Sequence, residues 1–339
     1  MINPTQAATF LIGAMLSASV FSGGLDQAVA SPIEVSSGEA AAIPKIGPIA
    51  HATGDRGNTP VISVQTAAPA ALPPAGQQQA AQPRVYLFRG ALGPIFSRGM
   101  DRLTKRIKQA GITANVYEFT ICRLIAESAI QVYREDPAPI VLIGHSMGGY
   151  CALKFAEMFQ AQNFPVSLIV TIDPAHVSPD VPLNVVRYIN IFLSKDVLGG
   201  GDVGPKQGYQ GHYASFDLSK HDDISHINIE KMDSIHEQLV GKILQLTTTP
   251  AKVEGETVPI RCVVPADSPI ELWDIGMPVF ARAGDTLQTL AASYQVPLWS
   301  LTQINPGSDS APLMPGQRVV VPRHLVPLAP VASQSVLKP

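Results

Sequence analysis

Hydrophobic and polar positions from residue 84 onward switch between a strand period and a helix period. Five segments are predicted to be strands, at 85–88, 112–119, 139–144, 166–172 and 185–193. Of these, 139–144 and 166–172 are apolar runs, which are typical of strands buried in a parallel sheet. Segments with apolar residues at helical spacing lie at 100–110, 121–134, 150–160 and 229–246. Because strands that alternate with helices form parallel sheets with right-handed crossovers, we predict an α/β fold with a central, mostly parallel sheet. We expect 185–193 to be its last strand.

A second, smaller unit follows in the chain. Its pattern predicts, in order, a strand at 279–282, a turn at 283–285, a helix at 286–294, a helix with Pro297 in its first turn, and a strand at 318–321. This order predicts a small βααβ domain. The folded part of the chain is therefore divided into an α/β domain at 84–247, a linker at 248–276, a βααβ domain at 277–325 and a tail at 326–339.

The N-terminal segment has the features of an export signal. An apolar run at 10–21 is too short to span a bilayer comfortably, and the small-x-small sequence at 28–30 is typical of a cleavage site. The residues before the run include no Lys or Arg, so an uncleaved apolar tail is the alternative. We predict a signal peptide at 1–30, a disordered Ala/Pro/Gln-rich linker at 31–83, and no transmembrane anchor after cleavage.

The net charge and the number of cysteines limit the kinds of partner and cross-link that we expect. The net charge of −3 suggests neither nucleic acid nor an anionic membrane surface as a partner. The three cysteines, Cys122, Cys151 and Cys262, are too few for a disulfide framework and could form at most one bridge. We expect Cys151 to be a small buried core residue, and we expect neither a cofactor nor a metal ion.

A candidate nucleophile lies in the turn Gly144-His145-Ser146-Met147-Gly148, between the apolar strand at 139–144 and a helix. The flanking glycines permit a tight turn that projects the Ser146 oxygen above the sheet edge. The same turn places the Met147 N–H at the helix N-terminus, where developing negative charge is stabilised. We predict Ser146 as the nucleophile; the alternative is a glycine-rich turn with a solvent-facing serine. We expect His145 to point away into packing or solvent.

A serine nucleophile needs a general base, and the base needs an acid that orients it. On a strand–turn–helix scaffold of this kind the chain order is Ser, then the acid, then His. His226 lies after the last predicted strand and directly before the closing helix, which makes it the candidate base. His212 and His221 lie in the preceding loop, and His236 lies within the helix, where we expect it to pack or to be solvated.

Two acidic residues could orient the base. Asp173 lies at the tip of a fully apolar strand and is followed by a proline, whereas Asp196 follows the next strand in a glycine-rich stretch. A buried carboxylate needs a partner, so we favour Asp173 and keep Asp196 open. A second oxyanion donor is expected from the loop after the first strand, where Gly90 lets the backbone approach closely and the N–H of Ala91 or Leu92 is the candidate.

These residues resemble the α/β-hydrolase superfamily over about 84–246, with a truncated sheet whose first strand corresponds to the third strand of the family. The resemblance implies an acyl-hydrolase site formed by Ser146, Asp173 and His226. An acid after the strand that follows the nucleophile helix is similar to the pancreatic-type lipases, whereas elsewhere in the family it comes one strand later, at Asp196 here. The absence of a long lid insertion favours esterase or thioesterase chemistry, with 198–211 as a short mobile flap.

The second unit resembles a lysin-motif (LysM) module, from Val279-Phe280-Ala281-Arg282-Ala283-Gly284-Asp285-Thr286-Leu287 at its start to Leu313-Met314-Pro315-Gly316-Gln317-Arg318-Val319-Val320-Val321-Pro322 at its end. The resemblance implies binding of N-acetylglucosamine polymers such as peptidoglycan or chitin. The implied sugar groove is formed by Gly284, Asp285 and Thr286 together with Leu313 and Met314. The side chains of Asp285 and Thr286 are first of all expected to cap the helix that follows. Backbone groups of these loops would then bind the sugar.

Taken together, the sequence predicts an exported serine ester hydrolase, lipase-, esterase- or thioesterase-like, that LysM holds on peptidoglycan in the periplasm or cell wall. Its expected substrate is a small acyl ester. The alternatives are a non-catalytic wall-binding protein with a hydrolase-like scaffold, and an amidase that acts on wall peptides.

Overall fold

The computed structural model describes residues 81–91, 93–248, 256–306 and 312–326, which all belong to one compact unit. The predicted signal peptide at 1–30, the predicted linker up to residue 80 and the end of the predicted tail lie outside these residues. None of the helices in the described ranges is long and apolar enough to cross a membrane.

Seven strands form one sheet in the order β2-β1-β3-β4-β5-β6-β7. Every neighbouring pair is parallel, so the predicted α/β fold with a central parallel sheet is confirmed. The strands are β1 (Arg84–Arg89), β2 (Thr113–Glu118), β3 (Ile140–His145), β4 (Leu168–Ile172), β5 (Arg187–Phe192), β6 (His212–Asp217) and β7 (Ile260–Val263).

Helices cover both faces of the sheet, because successive strand residues point to opposite sides. The helices are α1 (Gly93–Phe96), α2 (Arg98–Gln109), α3 (Cys122–Glu135), α4 (Met147–Gln160) and α5 (Asp233–Thr248). In β1, Val85 and Leu87 pack with α2 and α5 on one face, whereas Phe88 packs with α3 and α4 on the other. Short 3₁₀ turns precede α3 at Phe119–Ile121 and α5 at Ile229–Lys231.

The sequence analysis missed two strands, because neither has a continuous apolar pattern. The sequence of β6, HYASFD, mixes polar and apolar residues although five of its six residues are buried. Strand β7 has only four residues of alternating burial and lies at the edge of the sheet, inside the segment predicted as a linker. The prediction that 185–193 is the last strand was therefore wrong, and His212, predicted to lie in a loop, begins β6.

The smaller domain has the predicted βααβ order. Its elements are β8 (Trp273–Phe280), α6 (Leu287–Tyr294), α7 (Leu298–Ile304) and β9 (Arg318–His324), with β8 and β9 antiparallel around a separate small core. Strand β8 begins six residues before the predicted start at Val279, because its first residues pack in the core of the larger domain.

The two domains are in direct contact. The Trp273 ring lies 5.7 Å from that of Phe216 in β6 and 5.5 Å from that of Trp299 in α7. The Gln303 side chain accepts a hydrogen bond from Val263 N and donates one to Val263 O, at 2.9 and 2.8 Å. The smaller domain therefore packs against β7, the edge strand of the sheet.

A buried ionic cluster, here the Asp274 cluster, joins the domains at the amino ends of β5 and β6. The Asp274 carboxylate binds Arg323 through Nε and Nη2 at 2.9 and 2.8 Å and lies 3.3 Å from Lys242 Nζ, 3.6 Å from Arg187 Nε and 3.4 Å from His212 Nδ1. Burial alone would raise the pKa of Asp274, but hydrogen bonds from His212 and Arg323 hold it well below its usual range. Breaking such a cluster would leave uncompensated buried charges.

Cys151 is buried in the core, as expected, and it also takes part in the one disulfide of the described residues. A disulfide joins Cys122, the first residue of α3, to Cys151 in α4, with the Cα atoms 5.6 Å apart. Cys262 is free and buried, and burial raises the pKa of its thiol to about 12.

Candidate active site

Ser146 lies on a strained turn between β3 and α4. Its backbone has φ 55° and ψ −123°, in a region that residues other than glycine rarely adopt. The turn packs closely against β1, since a Cβ at Gly148 would lie 2.1 Å from the Phe88 carbonyl oxygen. The side chain of Ser146 is consequently held at the carboxyl edge of the sheet, where ligands bind in α/β folds.

Asp173 and His226 meet at the same edge. His226 Nδ1 lies 2.6 Å from Asp173 Oδ2, and Asp173 is fully buried directly after β4. The other oxygen, Oδ1, accepts backbone hydrogen bonds from Leu193 at 3.0 Å and Gly200 at 2.8 Å. Asp173 also has a positive φ of 44°. Four non-glycine residues in the described ranges have a positive φ, and two of them, Ser146 and Asp173, belong to this site.

The glycine-rich stretch after β5 closes over this pair. A Cβ at Gly199 would lie 2.3 Å from Asp173 Oδ2 and 2.6 Å from His226 Nδ1, so only glycine fits there. Gly201 is held by Asn190, whose Nδ2 donates to its carbonyl at 3.0 Å. This stretch was expected to form a flap, and neither Gly199 nor Gly200 was assigned to the site. In the structure both glycines, at the start of the stretch, contact the Asp–His pair directly.

Asp196 lies beside the pair but does not bond to the imidazole. Its Oδ2 accepts the backbone N–H of His226 at 3.2 Å, and its Oδ1 accepts that of Leu198 at 2.9 Å. Ligand atoms of Asp173, Asp196 and His226 all lie within 4.8 Å of one another, so the group could in principle hold a metal ion. Both Asp173 oxygens already accept hydrogen bonds, which favours an orienting role for this carboxylate over metal ligation.

The nucleophile and the imidazole are not hydrogen-bonded to each other. Within the described ranges no hydrogen bond joins Ser146 Oγ to His226. His226 Nδ1 bonds to Asp173, and Nε2 has no hydrogen-bond partner among the described residues. Catalytic hydrogen bonds of this kind often form only when substrate is bound. The arrangement leaves a proton acceptor and a serine hydroxyl at one edge of the sheet.

The loop after β1 lies against the nucleophile. A Cβ at Gly90 would lie 2.7 Å from Ser146 Cβ and 3.3 Å from Ser146 Oγ. The N–H groups of Ala91 and Met147 donate to no other described residue, so they remain available to an oxyanion. Leu92, the alternative donor, lies outside the described residues.

His145 is buried, which agrees with the expectation that it points into packing or solvent, and its hydrogen bonds also connect this loop to the base. His145 Nε2 donates to the His226 carbonyl at 2.9 Å, so the neutral ring accepts at Nδ1 from Ser97 Oγ at 2.8 Å. Ser97 Oγ in turn accepts the Gly90 N–H at 3.1 Å. Burial, with a smaller effect from His226, lowers the pKa of His145 to about 3, so the ring stays neutral. We call this chain the Ser97–His145 bridge.

The remaining candidate histidines lie elsewhere. His221 is buried in the loop after β6, and His236 is fully buried in α5, where its Nε2 bonds to the Glu230 carbonyl at 2.8 Å. Burial lowers the pKa of His236 to about 4. His236 therefore packs inside the protein. This is the first of the two alternatives that we expected for it, packing or solvation.

The predicted sugar loops of the smaller domain are adjacent to each other. Leu313 N donates to the Asp285 carbonyl at 2.8 Å, which joins the two loops. Thr286 is the N-cap of α6 in a capping box with Thr289, whereas the Asp285 carboxylate accepts the Arg282 N–H at 2.7 Å. The Leu313 side chain is buried in the small core, and only Met314, 72% exposed, presents a large side chain.

Comparison with family models matches residues 282–322 to the LysM domain. Similar solved structures include a proposed α/β-superfamily hydrolase from Xanthomonas campestris pv. campestris, 17% identical, covering 36% of this chain and 75% of that one with a TM-score of 0.25. Two structures of a thioesterase domain from the nocardicin cluster, one in covalent complex with a fluorophosphonate nocardicin G analog, are 16% and 14% identical. They cover 46% and 50% of this chain and 80% and 96% of theirs, with TM-scores of 0.24 and 0.26.

None of the curated proteins matches the chain. The fold assignment rests on the parallel sheet and on the strand–turn–helix that carries Ser146. The chain therefore joins an α/β domain with a seven-stranded parallel sheet to a LysM domain at 282–322.

Proposed function

We propose that this chain is an exported serine ester hydrolase that its LysM domain holds on peptidoglycan. The observation that carries the proposal is the 2.6 Å contact between Asp173 and His226 at the sheet edge that also bears Ser146 on a strained turn. A buried carboxylate holding one imidazole nitrogen leaves the other nitrogen as a base for a serine. Asp173, with its direct contact to the ring, is the acid in this proposal.

The reaction follows the serine-hydrolase order. His226 Nε2 takes the proton of Ser146 Oγ as that oxygen bonds to the acyl carbon, and the Met147 and Ala91 N–H groups stabilise the oxyanion. The alcohol leaves with the proton from His226, which produces an acyl-serine. Water then attacks the acyl carbon and gives a proton to His226. The bond between the acyl carbon and Ser146 Oγ breaks, His226 returns the proton to Oγ, and the carboxylic acid leaves.

The export part of the proposal is supported by the disulfide between Cys122 and Cys151, because disulfides persist in oxidising compartments. Binding to N-acetylglucosamine polymers is supported by the LysM match and by the contact between its two predicted sugar loops. Because Asp285 and Leu313 use their side chains inside the domain, backbone groups of these loops and the exposed Met314 would contact the sugar. The periplasm or cell wall is the expected location.

A fluorophosphonate probe tests the catalytic part of the proposal. We expect it to label the full chain, and to lose the label in Ser146→Ala but not in the control Ser219→Ala. Turnover of 4-methylumbelliferyl esters should disappear with the label. If folded protein, checked by circular dichroism, is neither labelled nor active, the chain is a non-catalytic scaffold. Amide turnover that exceeds ester turnover would instead make it an amidase.

Peptidoglycan sedimentation tests the binding part. The full-length Ser146→Ala protein should co-sediment with peptidoglycan, and Met314→Glu should weaken binding severalfold. Leu298→Glu, which changes another exposed apolar residue of the LysM domain (41% exposed), is the control and should bind normally. No co-sedimentation of the folded protein would remove the wall tether from the proposal.

A further inference from the structure

An open groove lies beside the nucleophile, on the outer side of α4. Its volume is about 610 Å³, within the range of small-molecule sites. One wall is the segment before and at the start of α3, and the other is one face of α4. The main apolar lining residues are Phe119 and Cys122 on the first wall and Met147, Tyr150, Met158 and Ala161 on the second. We call it the α4 groove.

The groove begins at Met147 and leads along α4, away from the nucleophile. Met147, at its inner end, follows Ser146 directly and supplies one of the proposed oxyanion N–H groups. Ala161 caps the other end of α4, so at 1.5 Å per residue the lining extends over about 21 Å. The Cys122–Cys151 disulfide fixes one wall to the other. A chain attached to an acyl carbon at Ser146 could therefore lie along the helix.

Charged residues at the rim already have partners within the chain. Lys154 Nζ and Lys206 Nζ bind the two oxygens of Glu157 at 2.7 and 2.8 Å. Arg123 Nε binds Glu127 at 2.8 Å. A charged ligand would have to compete with these pairs, whereas an apolar ligand would not. The charges of the rim therefore favour an uncharged, apolar occupant.

The surroundings of the groove are also apolar. Ile121 and Leu124, on the same segment as the first wall, are 41% and 63% exposed. The larger open cavity of about 990 Å³, at the carboxyl ends of β5, β6 and β7, also has apolar lining residues, but its lining includes the charged residues Asp202, Asp217 and Arg261. Of these two cavities, only the α4 groove is lined by the residue that follows the nucleophile.

We propose that the α4 groove binds the acyl chain of the ester, and that the substrates of this site are long-chain acyl esters. This inference rests on the proposed function and specifies its substrate class. Each methylene moved from water into the groove contributes to transition-state binding, so kcat/KM rises with chain length until the groove is filled.

Two tryptophan substitutions test the proposal. Ala161→Trp narrows the outer end of the α4 groove, and Ala266→Trp makes the same change at an exposed alanine of the larger cavity. The measured quantity is the ratio of kcat/KM for the hexadecanoyl ester to that for the butanoyl ester of 4-methylumbelliferone, at one fixed detergent concentration. We expect a ratio above one in the unchanged protein, a fall of at least tenfold in Ala161→Trp, and a change of less than twofold in Ala266→Trp.

Several outcomes would overturn the proposal. They are a preference for the butanoyl ester, an unchanged ratio in Ala161→Trp, and an equal fall in Ala266→Trp. If Ala161→Trp does not fold, Thr120→Trp on the opposite wall replaces it with the same expectation. Failure of the proposed function gives a different result, since folded protein would then hydrolyse neither ester and would not react with the fluorophosphonate.

A binding measurement is independent of turnover. Hexadecanoic acid that carries a photoreactive diazirine should cross-link in Ser146→Ala to peptides that contain 119–123 or 147–161. Unlabelled hexadecanoic acid should compete for this cross-link, and butanoic acid should not. Cross-links confined to peptides of the larger cavity would place the acyl chain there and overturn the assignment of the α4 groove.

Discussion

Two buried aspartate–histidine pairs lie at opposite edges of the same sheet. Asp173 and His226 meet at the carboxyl edge with 2.6 Å between Oδ2 and Nδ1, whereas Asp274 and His212 meet at the amino edge at 3.4 Å. Both carboxylates are fully buried. The residue types and the burial are alike, so only the surroundings can separate a candidate catalytic pair from a structural one.

The surroundings differ in charge. Asp173 accepts backbone N–H groups, and none of the described Lys or Arg side chains forms an ion pair with it. Asp274 lies within 4 Å of three cationic side chains, which compensate its charge. The negative charge of Asp173 is therefore available to stabilise an imidazolium at His226, while that of Asp274 is used to hold two domains together.

The largest expected effect is on turnover, from Asp173→Asn. The substitution removes the charge that orients His226 and stabilises its protonated form. We expect kcat for ester hydrolysis to fall by about 10⁴-fold, the scale of losing the acid of a Ser-His-Asp triad. Steady-state kinetics with a 4-methylumbelliferyl ester measures it, with circular dichroism to show that the protein is folded.

Asp274→Asn is the matched control, because it makes the same change in the other buried pair. Turnover per folded molecule should change by less than twofold there. If Asp274→Asn lowered kcat as much as Asp173→Asn, the two pairs would not be separated by their surroundings, and the comparison would be wrong.

The second effect is on stability, from the same Asp274→Asn substitution. Three cationic side chains would lose their buried counter-charge, so we expect the free energy of unfolding to fall by about 3–5 kcal/mol. Urea denaturation followed by circular dichroism measures it. Because β8 and β9 depend on the Asp274 cluster, the two domains should then unfold in separate steps. Unchanged stability would show that the cluster does not join them.

The sequence indicated the fold well where its pattern is strong. Strands β3 and β4 are fully buried on both faces and therefore read as continuous apolar runs. Strand β6 is buried at five of its six residues, but its first residue, His212, belongs to the Asp274 cluster, and its polar residues hide the pattern. The cluster itself draws on four strands and a helix that are distant in the chain, so no local pattern could reveal it.

Chain order indicated Ser146 and His226 without any knowledge of distances. It left two candidate acids, Asp173 and Asp196, and the apolar strand that ends at Asp173 favoured the first. The Ser97–His145 bridge was missed for a physical reason. His145 bonds to the backbone of a residue 81 positions later and to a serine 48 positions earlier, and neither contact leaves a spacing in the sequence. Its only signal is a histidine in a fully buried strand, where an imidazole needs partners.

A third, smaller effect is expected when this bridge is broken by Ser97→Ala. The Gly90 N–H would lose its acceptor and His145 Nδ1 its donor, so the loop after β1 would be less well fixed against Ser146. We expect kcat to fall by about 10- to 100-fold, as for the loss of one or two buried hydrogen bonds, with KM changed less than threefold.

Ser300→Ala is the control for this change, because Ser300 is also fully buried and bonds within the LysM domain. It should leave kcat unchanged. A Ser97→Ala protein with normal kcat but lower stability would show that the bridge supports the fold and not the position of the loop.

The smallest effect is expected from Asp196→Asn. This substitution compares the two candidate acids, Asp173 and Asp196, at the carboxyl edge of the sheet. Asp196 contacts the backbone of His226 and not its ring, and an asparagine oxygen can accept the same N–H. We therefore expect kcat to fall less than tenfold, against about 10⁴-fold for Asp173→Asn. The same ester assay measures both variants side by side. If Asp196→Asn abolished turnover and Asp173→Asn did not, the acid would be Asp196. The hydrogen bond to His226 Nδ1 would then mark a resting arrangement that substrate rearranges.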